Sequence, residues 1–261
     1  MSVLGDALRA EWAKARTLAS TGWLLLAAVI LTVAVSAAVA AAATCPAGNC
    51  AEDPAKISLT GIYLGQAVVA ILAVLMMSSE YSTGMIRVTL AAMPRRITVL
   101  AAKAAILTGL VLACGALAVL ASVLAGQVIL RGHGIDPAHG YPSLSLGSAP
   151  VLRAAAGSVL YLALIALLSL GTATAVRDSA AAIGVVLGLL YLFPIVGAVL
   201  GGSHLARLIQ QIGPMTAGLA IQATTGLPDL PISPWAGLGV LAAWAAAALL
   251  AGGLLLRHRD A

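Results

Sequence analysis

Very few side chains in this sequence have the type and spacing that chemistry needs. Cys45 and Cys50, separated by four residues around Pro46 and Gly48, suit a small loop disulfide in an oxidising compartment or two free thiols. A metal there is a poor fit, because the nearby carboxylates are Glu52 and Asp53 and no histidine is close. His133 and His139 could share a metal, yet they flank only Asp136 in a glycine-rich loop, a pattern more often solvated than ligating. Ser169, Thr172 and Thr174 are hydroxyls inside an apolar run, expected to bond to carbonyls of their own helix. No GxxxxGK[ST] phosphate loop, HExxH pair or nucleophile elbow occurs. The expectation is therefore no catalytic site, no metal and no cofactor on the chain itself.

One stretch is richer. Residues 80–103, EYSTGMIRVTLAAMPRRITVLAAK, are the longest polar interruption on the basic side of the chain. Met85, Ile86, Val88, Thr89, Leu90 and Met93 read as a short amphipathic helix closed by Pro94, with Arg95 and Arg96 opening the next element. A hydrophilic loop needs no row of apolar side chains, so a docking surface is one reading, and a helix resting its apolar face on lipid is the other.

The elements that must position these residues follow from composition. Of 261 residues only 9% are charged and 61% are hydrophobic, and the mean hydropathy is +1.06. A soluble domain would carry about 25% charged residues. A bilayer core roughly 30 Å thick needs about 20 apolar residues per helix. On that length the spans fall at 22–43, 60–79, 104–130, 153–176, 180–201 and 235–256. Backbone polar groups in lipid must be satisfied within each segment, and runs this long exclude short barrel strands, which predicts an all-α bundle of six transmembrane helices. The first run is too long for a signal-peptide core and reads as a retained helix. Ahead of it, residues 1–21 carry apolar positions at helical spacing opposed by Asp6, Arg9, Glu11, Lys14 and Arg16. They suit an interfacial helix anchored by Trp12, or a solvated leader.

Charge then sets orientation. With both termini on one side, that side holds ten of the fourteen basic residues, from Arg9 to Arg259, leaving only Lys56, Arg131, Arg153 and Arg207 opposite. The positive-inside rule makes it the cytoplasm. The net charge of +5 thus reads as topology and contact with anionic lipid, not as nucleic-acid binding. No Asp, Glu, Lys or Arg lies near a span centre, which argues against an ion-driven pump. Glu80, Lys103, Arg153 and Arg177–Asp178 sit at span edges, where snorkelling is expected. Glycines four apart, at 61/65, 184/188 and 197/201, predict close helix approach. Pro194 marks a hinge or a bend. Residues 131–152 read as an irregular connector. Residues 202–234 read as an outer loop whose short re-entrant helices break at Gly213-Pro214.

Four stretches together resemble a known family. They are LRAEWAKARTLASTGWLLL, SSEYSTGMIRVTLAAMPRR, VRDSAAAIGVVLGLLYLFP and SPWAGLGVLAAWAAAALLAGGLLLRHRDA. They are similar to permease subunits of ABC transporters of the ABC-2 type, in particular those of actinobacteria. The resemblance runs from end to end, and the E-Y-x-x-G-x-I-R element followed by P-R-R is its most specific part. It implies a single transmembrane domain over 1–261 in a bacterial plasma membrane. It implies pairing with a second permease copy or paralogue and with separate cytoplasmic ABC ATPase subunits that hold ATP and magnesium. By the same resemblance Glu80, Tyr81, Gly84, Met85, Ile86, Arg87, Leu90, Pro94, Arg95 and Arg96 would form the coupling region toward the ATPase. The resemblance implies export, and apolar spans with an aromatic content of 4% favour an amphiphilic cargo such as a drug, antibiotic or lipid. The competing expectation is a non-transporting anchor, or an immunity or assembly protein that recruits a cytoplasmic partner.

Overall fold

The computed structural model describes residues 3–43, 53–82, 96–135, 141–202 and 204–258, and among them there is no strand. Six helices are long and apolar enough to cross a bilayer. The chain is an all-helical, multi-pass membrane protein. Its elements are α1 (Val3–Thr17), α2 (Ala19–Ala42), α3 (Pro54–Leu59), α4 (Ile62–Ser82), α5 (Arg96–Gly132), α6 (Ala149–Val176), α7 (Ser179–Val199), α8 (His204–Ile212), α9 (Pro214–Gly218) and α10 (Pro234–His258). The spans are longer than expected at several ends. α5 has 37 residues, about 55 Å at 1.5 Å per residue, far more than the bilayer core requires. Its extra turns at the Arg96 end carry Lys103.

Burial divides the six. The apolar windows of the α3–α4 unit and of α6 are 61% buried inside the chain, against 22–28% for the other four. Helices α4 and α6 are thus the centre, with α2 and α5 on one side and α7 and α10 on another. The outer four turn large side chains outward, among them Leu26 and Ile30 on α2, Leu124 and Val128 on α5, Leu192 and Ile195 on α7 and Leu250 on α10. Lipid is an apolar solvent, so this exposure costs nothing, and helix association must come from close packing instead.

Small residues supply that packing. The inward face of α2 is Thr21, Ala28, Thr32, Ser36 and Ala40, a strip without bulk. A Cβ on Gly61 would stand 1.8 Å from the Thr32 carbonyl oxygen, and Ser36 Oγ accepts from Gly61 N at 3.0 Å. The glycine therefore lets α2 meet the α3–α4 joint backbone to backbone. Helices α6 and α10 meet the same way, since a Cβ on Gly171 would lie 2.5 Å from Ala248 backbone. Of the predicted pairs, 61/65 packs as expected. Gly184 and Gly188 face open space among the described residues, so they do not bring helices of this chain together.

Residues 213–223 turn into the bundle, while most of α8 before them and 225–229 after them stay exposed. Gly213 is extended between α8 and α9, the break expected at Gly213-Pro214. Trp244 Nε1 on α10 donates to the Ile212 carbonyl at 2.9 Å, and the Trp244 ring meets Phe193 edge-on at 6.4 Å. In α9 and just beyond it, Met215, Ala217, Leu219, Ile221 and Ala223 are all buried. Gly157 on α6 faces Ile221 and Gly218 faces Tyr161 at distances that leave no room for a Cβ. The segment is therefore part of the core, not a cover over it.

Candidate functional site

Polar chemistry gathers at the two ends of α4. At one end stand Glu80 and Tyr81, at the base of the 83–95 segment. Lys103 Nζ donates to Glu11 Oε2 at 2.7 Å, to Glu80 Oε1 at 3.0 Å and to the Met76 carbonyl at 3.2 Å. Lys14 Nζ donates to Glu11 Oε1 at 2.9 Å and to Glu80 Oε1 at 2.8 Å. Glu11, Glu80 and Lys103 are each 2% exposed. Two carboxylates and two ammoniums thus form a neutral cluster that ties α1 to the end of α4 and the start of α5. Burial works to lower the Lys14 pKa, but hydrogen bonds to Glu80 and Glu11 outweigh it and hold the group above its ordinary value of 10.5.

Two expectations change here. Lys103 does not snorkel: its ammonium is enclosed and spends all three protons inside the chain. Glu11 does not belong to the solvated face of α1. It lies between Ala7 and Ala15, both buried, on a stripe four residues apart that packs against α5. Trp12 is 48% exposed and faces away from the bundle.

Beside the cluster, the Arg177 guanidinium lies over the Tyr81 ring, 5.5 Å from its centroid. Arg177 ends α6 in the left-handed conformation at φ 63°, an uncommon setting for a side chain of this size. Asp178 follows at once and caps α7, accepting from Ala181 N at 2.8 Å. This sharp turn presents the guanidinium to α4. Of the coupling residues expected from sequence, Glu80 and Tyr81 come together here, and Glu80 faces inward. Gly84, Met85, Ile86, Arg87, Leu90, Pro94 and Arg95, with the short helix expected across 85–93, lie outside the described residues. So does the Arg96 side chain, although α5 starts at that residue. Cys45 and Cys50, with their disulfide, also lie outside.

At the other end of α4 the polar groups on the helix itself are neutral. Tyr161 on α6 donates to Gln66 Oε1. Gln66 Nε2 donates to Met215 Sδ at 3.2 Å and to the Tyr63 carbonyl at 3.3 Å. Tyr191 on α7 donates to that same carbonyl. Next to this network a cavity of about 300 Å³ opens between Tyr63, Pro194, Gln210, Met215, Gln222 and Pro231. Asp53 ties α3 to the segment after α9. It caps α3 by accepting from Ala55 N at 3.0 Å, and it accepts from Thr224 Oγ1 at 2.6 Å, from Thr225 N at 3.0 Å and from Thr224 N. Arg153 on α6 donates to the Ala223 carbonyl at 2.5 Å. The segment after α9 is thus stapled on two sides.

Ser169, Thr172 and Thr174 bond to Ile165, Leu168 and Leu170 carbonyls at 2.7, 2.8 and 2.8 Å, as expected, and take no part in either site. Sequence reading passed over Gln66 and Tyr161, and weighed Asp53 only as a carboxylate near the two cysteines. Gln66 is a lone amide in an apolar span, which is signal enough once neutral groups are searched as well as charged ones. No protein-family model matches the chain, and no curated protein matches its sequence.

Proposed function

We propose that this chain is the permease subunit of an ATP-driven ABC transporter of the ABC-2 type, exporting a hydrophobic or amphiphilic compound. The Lys/Arg-rich end, with both termini, faces the cytoplasm of a bacterial plasma membrane, and α1 lies along that surface. ATP is hydrolysed on separate subunits, and a second permease copy or paralogue completes the pathway. The reading rests on the resemblance of the 78–96 stretch together with one structural observation. The polypeptide enters and leaves the 83–95 segment through helices that the Glu11–Lys14–Glu80–Lys103 cluster locks together.

That cluster gives a physical route for coupling. A partner ATPase closing on nucleotide would load 83–95. The four charges would then pass the displacement to α1, α4 and α5 as one body, because separating buried opposite charges is costly. Helix α4 runs from Glu80 to Gln66, fourteen residues or about 21 Å, and so joins the cluster to the Gln66–Tyr161 network beside the cavity. A shift at one end is felt at the other through a packed rod. Glu80, on this reading, couples by positioning the segment and not by touching the partner.

The test is reconstitution in proteoliposomes with a P-loop ATPase encoded beside this chain. The expected result is hydrolysis stimulated by the chain, and stimulation lost when Glu11, Glu80 and Lys103 are all replaced by Met while the protein still folds. An ATPase that binds but is never stimulated, with no amphiphile moved, would overturn export in favour of an anchoring role.

A further inference from the structure

We infer that the groove between α1, α2 and α4 binds a phospholipid with a primary-amine headgroup. The groove is chemically graded. Its polar part, about 160 Å³, is walled by Glu11, Lys14, Glu80 and Lys103. A second part, about 210 Å³, continues over Leu24, Leu72 and Leu75. Leu18, Thr21, Met76 and Ser79 line both parts, so the two are one continuous slot. The slot thus runs from four charges at one end to Leu24, Leu72 and Leu75 at the other, with the hydroxyls of Ser20, Thr21, Ser78, Ser79 and Ser179 along its wall. That suits a phospholipid whose headgroup meets the charges and whose ester region and upper acyl chain meet the hydroxyls and leucines.

Counting donors and acceptors narrows the headgroup. Lys103 uses all three of its protons, and both Glu11 oxygens accept. Lys14 uses two of three. Glu80 Oε1 accepts twice, whereas Oε2, though buried, has no partner among the described residues. Among the described residues one acceptor and one donor therefore remain, on neighbouring groups joined by the 2.8 Å Lys14–Glu80 bond. A buried carboxylate oxygen without a partner is costly. An ammonium group donates to it, and a phosphate beside that ammonium accepts from Lys14. Phosphatidylethanolamine carries both at adjacent positions. A choline headgroup has no N–H to donate, and a glycerol headgroup brings no cation. The bound lipid bridges the α1–α2 joint to α4, so it sets how firmly α1 is seated. The inference needs a membrane protein and is independent of whether the chain transports anything.

Native mass spectrometry of the full chain in detergent, titrated with phosphatidylethanolamine, phosphatidylcholine and phosphatidylglycerol of one acyl composition, tests it. Loss of a charge-assisted hydrogen bond should make phosphatidylethanolamine the tightest by about tenfold. Leu75→Trp, which fills the apolar part and leaves the four charges alone, should weaken all three lipids without changing the melting of the lipid-free protein. Glu80→Gln, which puts an amide NH2 where the oxygen accepts, should abolish the preference over phosphatidylcholine. Equal binding of the three lipids, or preference for phosphatidylglycerol, would overturn the proposal. So would binding unchanged in Leu75→Trp, and should Glu80→Gln fail to fold, the lipid ranking and Leu75→Trp decide.

Discussion

The two ends of α4 solve the same problem with different materials. Both bring polar groups into an apolar bundle, where each must find a partner within the protein. Near Glu80 the solution is four full charges shared among three helices. Near Gln66 it is mainly neutral donors and acceptors, and the charged groups there, Asp53 with its four donors and Arg153 on the Ala223 carbonyl, bond to neutral partners instead of to each other. Charge pairs are held by long-range attraction and are expensive to break singly, while neutral bonds in a membrane protein contribute little each and can exchange partners. The charged end is thus the harder to break one contact at a time, and the neutral end, beside the cavity, the easier.

The sharpest way to break that contrast is to remove one charge. Lys103→Ala leaves Glu11 and Glu80 buried together with Lys14 alone, and it should cost about 3–5 kcal/mol, read as unfolding in detergent. Replacing Glu11, Glu80 and Lys103 together by Met should recover most of that loss, since an apolar cluster of similar volume is often as stable. If the single variant is as stable as the parent, the end does not behave as a charge-locked unit.

Asp53→Asn probes the opposite end with a smaller effect. Asparagine keeps one acceptor oxygen and turns an NH2 toward the Thr224 and Thr225 amides, a loss of about 1–3 kcal/mol. A cysteine placed at Ala223, which is fully buried, should become reactive to a thiol reagent in that variant, and continued protection would show that Arg153 alone holds the segment. Tyr161→Phe is milder still. It removes one neutral donor from Gln66, and a cost of about 0.6–1.7 kcal/mol is expected from interhelical bonds of this kind. A larger loss would make this end as rigid as the other.

How legible these two ends were in the sequence differs for physical reasons. Hydropathy carries the six helices, because length and apolarity are all that a span requires. The break at Gly213-Pro214 and a short re-entrant turn around it were readable from backbone chemistry and apolar patterning. The full burial of 215–223 against α6 was not, since it depends on glycines in α6 and α9 that carry no periodic signal. Glu11 was misplaced because a charge at helical spacing normally marks the solvated face. Only Ala7 and Ala15 on either side of it hinted that this face lies against another helix. Lys103 was placed at a span edge because α5 was started eight residues late, which hid the turns that bring it to Glu80.

The smallest effect is also the one that most directly separates the ends. Lys14 is held above its ordinary pKa of 10.5 by Glu80 and Glu11 against the opposing pull of burial. A raised value means that its contribution to stability is complete below pH 10.5 and is lost as pH rises through the folded value. The Lys14 side chain is 28% exposed, so solvent screens part of that contribution and the slope should be shallow. Unfolding curves taken at successive pH values above 10.5 should therefore fall more steeply for the parent than for Lys14→Gln, because other groups titrate equally in both. Parallel curves would mean that the Lys14 charge is not coupled to the fold, leaving Lys103 alone to join α1 to α4.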